Sequence, residues 1–326
     1  MNTSKVSIIT PSYNSESFIA QTIDSVLSQR YANCEYIIID GGSTDGTVEI
    51  IKKYEKHLHY WVSEPDKGQS HAINKGFKKS TGDIINWLNA DDYYEKDSLY
   101  KVAHYFEDPS INCFCGRSNI VDVSGAYLHQ SSGTDIYPNN IAKTIGWARI
   151  DQPETYFRNI VFEKLGGVNE NLHYVMDKEF WIRYLLAYGL EGIKIVNDTL
   201  VNFRLHDQSK TGSNPLKFQE ETNKLFHSLA ISVGLSFDYN PVNDMEQLPG
   251  IKWPSQDANL INNVLQYYYL YLADFHYYTG NRKFCDLLLQ KIEENNLEKV
   301  DLALYKKLKF RNKYLPGFVQ KMKFKF

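Results

Sequence analysis

Paired cysteines are missing from this chain. Its 326 residues include only four cysteines, and no two of them have the CxxC spacing of structural zinc sites or thiol redox motifs. Cys113 and Cys115 alternate along a probable strand, which favours structural thiols over metal ligands. Cys34 and Cys285 stand alone. This cysteine usage fits a reducing compartment.

Long apolar runs are also missing. The N-terminal segment 1–14 lacks the apolar core of a signal peptide. No stretch of the chain approaches the ~20 apolar residues that are needed to cross a bilayer. We therefore expect a cytoplasmic protein, and peripheral contact with the inner face of a plasma membrane stays open.

An excess of positive charge is absent as well. The formal net charge is -3 at pH 7, which argues against a surface that binds nucleic acid along its whole extent. The 43% of hydrophobic residues is enough for a sizeable core, and the length favours one large domain with an extension.

The first hundred residues instead show strands that alternate with amphipathic helices. Strands are predicted at 5–10, 35–40, 59–63 and 83–88, with helices at about 15–29, 45–56 and 69–78. The strands read as nearly continuous apolar runs, as in a parallel sheet covered by helices on both faces. The pattern predicts an α/β fold whose ligand binds beyond the carboxyl ends of the strands.

A glycine-rich dinucleotide fingerprint is absent from those strand ends. The first strand continues into Pro11-Ser12-Tyr13-Asn14 rather than G-x-G-x-x-G, which argues against a dinucleotide-binding domain. Acids follow three of the four strands, in the segments 40–45, 64–70 and 89–92. Carboxylates suit a ligand that brings a cation or offers N–H and hydroxyl donors, such as a nucleotide with a metal-bridged diphosphate.

Five segments in order resemble the motifs of the family 2 glycosyltransferases. They are "VSIITPSYN", "IIIDGGSTDGT", "SEPDKGQSHAINKGF", "STGDIINWLNADD" and "MDKEFWIRY". The resemblance extends over roughly residues 4–206. It implies an inverting, nucleotide-sugar-dependent enzyme of the GT-A fold, with a mixed, mostly parallel sheet, helices on both faces and a helical extension at the C-terminus.

The resemblance also implies residues for the nucleotide-sugar donor, which we expect to be a UDP-sugar. Pro11 and Tyr13 match positions that line the nucleobase pocket, although Tyr13 could instead be a core aromatic. Asp40 matches the acid that accepts hydrogen bonds from the base or ribose, and Asp66 matches the second acid of that pocket. Asn89 is expected to bond a ribose hydroxyl.

A metal site is implied by the same resemblance. The family's D-x-D motif corresponds to Asn89-Ala90-Asp91, so an amide replaces the first acid and only Asp91 remains. One carboxylate can suffice when the diphosphate and waters supply the other oxygen ligands of Mn²⁺ or Mg²⁺. His206 matches a position that gives an imidazole to the metal in some relatives. A histidine with no metal role is the alternative.

Asp177 matches the family's catalytic base. Such a base takes the proton of an acceptor hydroxyl while its oxygen attacks the anomeric carbon, and this single displacement inverts the stereochemistry. Met176 precedes it where many relatives have an acid, and a role for Asp177 in capping its helix stays open. Glu179 is expected to contact the acceptor or support the base.

The acceptor site is predicted less sharply. Residues 146–159 resemble the acceptor-facing loop, with Trp147 available to stack on a sugar and with Gln152 and Glu154 as polar contacts. The expected acceptor is a hydroxyl of a glycan or lipid-linked saccharide, as in bacterial surface polysaccharide synthesis.

The composition changes beyond about residue 211. We predict a catalytic domain at 1–211, a linker at 212–255 and a helical extension at 256–326, which contains a tetratricopeptide-like hairpin. A single helical pair needs a partner surface, so an oligomer through these helices is one expectation. Its aromatic run 267–271 is better explained by packing than by a sugar-binding platform. The basic, aromatic tail 305–326 contains no acid and suits an anionic membrane surface, although a tail that only keeps the chain soluble is the alternative.

Two other function classes compete with the metal-dependent inverting glycosyltransferase. A non-catalytic nucleotide-sugar-binding protein is suggested by Asn89 and Met176, and a hydrolase with paired carboxylates is the more distant alternative. Asp91 and Asp177 are both present, which favours the enzyme.

Overall fold

A computed structural model describes residues 4–314 apart from 148, 208, 211–213, 238–247 and 249–250. The chain forms two compact units. The first consists of residues 1–135 and 149–222, and the second consists of residues 136–148 and 223–326. The predicted boundaries at 211 and 255 stay a prediction, and contacts group residues 136–148 with the C-terminal helices.

The predicted alternation of strands and helices is confirmed in the first part of the chain. The elements are β1 (Val6–Ser12), α1 (Ile19–Leu27), β2 (Cys34–Asp40), α2 (Thr47–Tyr54), β3 (Tyr60–Ser63), α3 (Gln69–Phe77) and β4 (Ile84–Trp87). Each lies within a few residues of its predicted position. Strands β1 and β4 are buried throughout and β2 almost throughout, as expected for strands covered on both faces.

The rest of the first unit adds shorter strands and two longer ones. These elements are β5 (Tyr93–Tyr94), α4 (Ser98–Tyr105), β6 (Cys113–Val121), β7 (Tyr127–Gln130), β8 (Thr155–Arg158), α6 (Asn159–Leu165), α7 (Met176–Tyr188) and β9 (Ile193–Arg204). Helix α5 (Ile141–Gly146) belongs to the second unit. Cys113 and Cys115 are buried free thiols on β6, as the alternation predicted.

All nine strands form one mixed sheet in the order β3-β2-β1-β4-β8-β6-β9-β5, with β7 paired to β6. Strands β3, β2, β1 and β4 are mutually parallel, whereas β8 runs antiparallel to β4 and to β6. The register aligns Ser12 with Asp40 and Asp40 with Ser63. The carboxyl ends of β1, β2 and β3 therefore meet in one row, which positions the candidate site.

The second unit is helical. Its elements are α5, the C-terminal part of α8 (Pro215–Ile231), α9 (Ala258–Tyr278), α10 (Arg282–Gln290) and α11 (Lys299–Tyr314). The hairpin α9–α10 turns at residues 279–281, as predicted. The aromatic run on α9 is largely core, since Tyr268 is fully buried and stacks on Phe226 with ring centroids 3.7 Å apart.

Helix α5 packs closely on α9 through Gly146. A Cβ atom on this glycine would lie 2.4 Å from the carbonyl oxygen of Val264 and 2.9 Å from Cβ of Tyr267. The close approach needs a residue without a side chain. Glycine at this position therefore sets the distance between the two helices.

The basic tail begins inside a helix. Residues 305–314 belong to α11, where Tyr305 and Leu308 are buried and Phe310 is exposed. The remaining tail residues, 315–326, lie outside the described residues. Among the described helices, none combines the length and apolar character needed to cross a membrane.

Candidate active site

The loop that follows β2 is organised by Asp40. The Asp40 carboxylate accepts hydrogen bonds from the backbone N–H groups of Gly42 (3.1 Å) and Ser43 (2.9 Å) and from the hydroxyls of Ser43 (2.5 Å) and Ser63 (2.6 Å). The Asp40 side chain is fully buried. These bonds build the loop, and contact between Asp40 and a nucleotide stays a prediction.

Asp66 reaches the same place from the end of β3. A Cβ atom on Gly41 would lie 2.8 Å from Oδ2 of Asp66, so the glycine makes room for this carboxylate. The other Asp66 oxygen accepts the backbone N–H of Gly68 at 2.7 Å. Asp66 is only half-buried. Of the two acids Asp40 and Asp66, it is therefore Asp66 that a ligand can reach.

The end of β1 presents one exposed ring. Tyr13 is 63% exposed, so a core role for this aromatic is wrong. Its neighbour Asn14 adopts φ 48° and ties the two loops together, since its backbone N–H donates to Ser43 Oγ (2.8 Å) and its amide oxygen accepts from the N–H of Thr44 (2.9 Å). Pro11 is buried in β1.

The segment Asn89-Ala90-Asp91-Asp92 presents its two acids differently. Asp92 is buried and accepts hydrogen bonds from the backbone N–H of Arg204 (3.0 Å) and from Asn89 Nδ2 (3.2 Å). Burial, together with the adjacent charge of Asp91, raises the pKa of Asp92 well above its ordinary value. Thr22 Oγ1 donates to the backbone oxygens of Ala90 and Asp92. Asp92 is thus part of the scaffold, and Asp91 is the partly exposed acid.

Asp91 meets His206 at the end of β9. Nε2 of His206 lies 2.9 Å from Oδ2 of Asp91, and the imidazole packs against Phe18. A carboxylate oxygen and an imidazole nitrogen side by side fit two ligands of Mn²⁺ or Mg²⁺, and the diphosphate would have to supply others. No cluster of three metal-binding side chains occurs among the described residues.

A hydrogen-bonded relay connects this motif with Lys210. Gln69 Nε2 donates to Oδ1 of Asn89 at 2.7 Å, and Lys210 Nζ donates to Oε1 of Gln69 at 2.8 Å. Lys210 Nζ also donates to the backbone oxygen of His173 at 2.7 Å. Burial lowers the pKa of Lys210, and the carboxylates of Glu221 and Asp177 oppose that shift.

Asp177 lies in the first turn of α7. Its Oδ1 accepts the backbone N–H of Lys178 at 2.8 Å, and burial raises the pKa of Asp177 to about 6. The turn before the helix is held by Glu221 of α8, which accepts the backbone N–H groups of His173, Tyr174 and Val175 at 2.7 to 2.9 Å. Asp177 is therefore a carboxylate with a base-like pKa on a fixed turn.

Glu179 has a different environment. Its carboxylate is buried and forms a two-point ion pair with Arg183, with N–O distances of 2.6 and 2.8 Å. Arg183 also donates to the backbone oxygens of Leu165 and Gly167. This arrangement joins α7 to the turn after α6, so we do not place Glu179 at the acceptor.

The predicted acceptor residues are not gathered into one exposed patch. Gln152 is buried and donates to the backbone oxygen of Trp87 at 2.7 Å. Glu154 is fully buried and accepts the hydroxyl of Ser118, and burial raises its pKa to about 8. Trp147 belongs to the second unit, where its ring meets Tyr271 edge-on at 5.8 Å. An acceptor role for these residues stays a prediction.

Sequence reasoning missed three residues of this site: Gln69, Lys210 and Glu221. Lys210 stands four positions after His206 in "HDQSK", and a cation so close to a metal-ligand candidate was a usable signal. Gln69 opens α3 directly after the Asp66 loop. Glu221 gave no signal, because its partners are backbone groups on another element.

The mixed, mostly parallel sheet and its helices are close to those of glycosyltransferases of the GT-A fold. Residues 7–166 match the model of Glycosyl transferase family 2, and this part of the chain is a family 2 glycosyltransferase domain. The resemblance to the family is thereby confirmed, and the fifth motif, "MDKEFWIRY" at 176–184, lies beyond the matched residues.

Two relatives illustrate the family match. An uncharacterized glycosyltransferase of Rickettsia typhi is 26% identical over 220 residues, which are 64% of this chain and 66% of the relative. The putative teichuronic acid biosynthesis glycosyltransferase TuaG of Bacillus subtilis is 39% identical over 108 residues, 32% of this chain and 43% of TuaG. The chain thus spans just under two thirds of the first relative and less than half of the second.

Solved structures share the fold. Residues 1–349 of S. aureus TarS in complex with UDP-GlcNAc superpose with a TM-score of 0.63 and 18% identity, covering 94% of this chain and 89% of that chain. The same part of TarS in complex with UDP gives a TM-score of 0.57. At this identity the likeness concerns the fold alone.

Proposed function

We propose that this glycosyltransferase moves a sugar from a UDP-sugar to a hydroxyl of a glycan or lipid-linked saccharide, with inversion at the anomeric carbon. The observation that carries the proposal is the position of Lys210, which is linked through Gln69 to Asn89 and whose charge acts on Asp177, a carboxylate with a pKa of about 6. A base and a cation are what an inverting displacement at a sugar diphosphate needs.

The proposed reaction is one displacement. The acceptor oxygen forms a bond to the anomeric carbon while the bond from that carbon to the diphosphate oxygen breaks. Asp177 takes the acceptor's proton, and UDP leaves with the bonding electron pair. Lys210 stabilises the charge that grows on the diphosphate. A carboxyl pKa near 6 suits proton transfer close to neutral pH, because the group is ionised and still basic.

Donor recognition is assigned to the strand ends. Tyr13 offers an exposed ring for the nucleobase, and Asp66 offers an accessible carboxylate for an N–H or hydroxyl donor. Asp40 holds the loop between them. Asn89 Oδ1 accepts from Gln69 and its Nδ2 donates to Asp92, so its predicted bond to ribose would require one of these contacts to be exchanged.

The divalent metal belongs to the proposal. Asp91 and His206 would hold Mn²⁺ or Mg²⁺, which when bound supplies positive charge to the diphosphate. The TarS complexes with UDP-GlcNAc and UDP support a uridine nucleotide donor, and the likeness to TuaG supports a role in a bacterial surface polysaccharide.

Titration calorimetry of UDP with and without manganese tests this assignment. We expect manganese to strengthen UDP binding to the wild type, Asp91→Ala to abolish the manganese effect and His206→Ala to reduce it. Asp122→Ala serves as the control, because this acid lies in an exposed turn and accepts from Ser124 and Ala126. Wild-type UDP affinity that is indifferent to manganese and magnesium would show that the site works without an ion.

A further inference from the structure

The second unit contains a cavity that the proposed reaction does not use. Its volume is about 240 Å³, and it opens to solvent. Four asparagines line it, together with one tyrosine, one acid and two apolar residues: Asn140, Asn263, Asn295, Asn296, Tyr267, Glu298, Ala142 and Leu297. Pockets that bind drug-sized ligands have volumes of about 300 to 1,000 Å³, so this cavity suits a smaller group.

The floor of the cavity is fixed by hydrogen bonds. Asn140 Nδ2 donates to the Tyr267 hydroxyl at 2.8 Å and to Oε1 of Glu298 at 2.7 Å, and Asn140 Oδ1 accepts the backbone N–H of Lys143 at 2.8 Å. The Tyr267 hydroxyl also accepts the backbone N–H of Glu298 at 3.2 Å. Because the Tyr267 oxygen accepts both of these hydrogen bonds, the hydrogen of the hydroxyl is left to donate to a ligand. The ring of Tyr267 is buried, so only the hydroxyl can serve a ligand.

The wall offers further amides. Within the part of the chain that the structure describes, the side chains of Asn263 and Asn295 make no hydrogen bond with protein. Each amide can donate and accept, as a sugar ring with neighbouring hydroxyls requires. Leu297 and Ala142 supply apolar contact for the C–H groups of such a ring.

The charges in and around the cavity select against anions. Among the described residues, no lysine or arginine lines it, and the nearby Lys143 ammonium is buried in an ion pair with Asp301 at 2.7 Å. In the lining that the structure describes, the one charged group is the carboxylate of Glu298, which repels phosphates and uronic acids. A neutral, hydroxyl-rich ligand therefore fits this lining best.

We infer that this cavity is a subsite for one neutral pyranose unit of a glycan, formed by residues other than those assigned to the reaction. Tyr267 donates to a sugar hydroxyl, Glu298 accepts from one, and the amides of Asn263 and Asn295 bridge neighbouring hydroxyls. The inference uses the glycosyltransferase assignment only to choose saccharides as ligands, and its failure would leave that assignment untouched.

Saturation-transfer NMR on the full chain tests the subsite. The probes are neutral trisaccharides of glucose, galactose, mannose and N-acetylglucosamine, with a galacturonate trisaccharide as the anionic comparison. We expect transfer to at least one neutral probe, with affinity reduced about 5-fold or more in Asn263→Ala and in Tyr267→Phe, because each change removes a hydrogen bond. The galacturonate probe should give a weaker signal.

The matched control is Asn262→Ala, which lies next to Asn263 on the same helix and does not line the cavity. Asn262→Ala and Asp177→Asn should both keep the signal, since neither contributes to this subsite. If the Tyr267→Phe protein does not fold, the affinity of Asn263→Ala alone decides the test of the subsite, because Asn263 is only half-buried. No transfer to any neutral probe, equal affinity in Asn263→Ala and wild type, or loss in Asp177→Asn would each overturn the inference.

Discussion

At the scale of single residues, the acids of the candidate site differ in their environments. Asp40 and Asp92 are buried and satisfied by protein donors, whereas Asp66, Asp91 and Asp177 are partly exposed. A buried carboxyl group whose oxygens already accept hydrogen bonds from protein donors has few acceptor sites left for a ligand. The accessible acids are therefore the ones to which we assign binding and catalysis.

The first residue-scale prediction concerns pH. Burial raises the pKa of Asp177 to about 6, and only the ionised form can take a proton. The value of kcat/KM should therefore fall about tenfold per pH unit below about 6 and level off above it. Initial rates between pH 4.5 and 8 in saturating metal measure this limb. An unchanged rate down to pH 5 would exclude Asp177 as the base.

The second residue-scale prediction concerns Lys210. Lys210→Ala should lower kcat by about 10- to 100-fold, because the proposed role of this cation is to stabilise the leaving diphosphate more in the transition state than in the ground state. Lys210→Arg should restore part of the rate. Lys217→Ala is the control, since this exposed lysine of α8 lies over the Tyr174 ring. Steady-state rates of UDP release measure all three, and a Lys210→Ala enzyme as fast as Lys217→Ala would remove Lys210 from the mechanism.

The sequence motifs predicted which residues belong to the candidate site, but they did not predict which groups those residues contact. Asp91 and His206 are 115 positions apart and could be paired only through the family resemblance, and the structure places them 2.9 Å apart. Burial of Glu154 could not be predicted, because it depends on packing around groups such as Ser118 that lie outside the motifs. The ion pair of Glu179 with Arg183 was missed although both residues lie in "MDKEFWIRY" at i,i+4 spacing. The sequence shows which acids are present, whereas packing decides which carboxylate oxygens a ligand can reach.

At the scale of elements, the strands and helices of the first hundred residues were predicted well. Apolar runs such as β2 are long and are clearly bounded by glycine and polar residues. Their local sequence pattern therefore agrees with the burial found in the tertiary structure. The antiparallel strand β8 and the short strand β5 were not predicted. Both are short and take their place from neighbouring strands rather than from their own periodicity.

One element-scale prediction uses the contact between α5 and α9. Ala is a better helix former than Gly by about 1 kcal/mol, so propensity alone predicts that Gly146→Ala stabilises the protein. Its Cβ would instead meet the Val264 carbonyl oxygen at 2.4 Å, and overpacking of this kind costs about 1 to 3 kcal/mol. We expect a melting temperature lower by several degrees in a thermal scan. An increase in the melting temperature would contradict this prediction, because it would mean that α5 and α9 can move apart without a loss of stability.

At the scale of the whole molecule, the chain combines a catalytic sheet with a helical unit that ends in a basic segment. Buried Tyr305 and Leu308 show that the segment is helical and packed at its start. A deletion intended to test the tail should therefore begin after Tyr314 and leave α11 intact. The predicted membrane contact would then depend on residues 315–326 and on exposed lysines of α11.

The whole-molecule prediction is that the full chain binds anionic vesicles reversibly. Each basic side chain near such a surface contributes roughly 1 kcal/mol, and residues 315–326 hold three lysines among phenylalanines. A chain that ends at Tyr314 should sediment with anionic liposomes less than the full chain does at low salt, and salt should weaken both. Neutral liposomes are the control. Equal sedimentation of the two chains would exclude a role for these residues.

The central claim is that Asp177 is the base of a sugar transfer from a nucleotide donor bound at the strand ends. The most direct measurement is UDP release from a panel of UDP-sugars, with glycan acceptors and with water alone, by the wild type and by Asp177→Asn. We predict release from at least one donor, a loss of about 100-fold or more in the variant, and UDP affinity that is nearly unchanged by calorimetry. A variant that binds UDP and retains wild-type turnover would contradict the account.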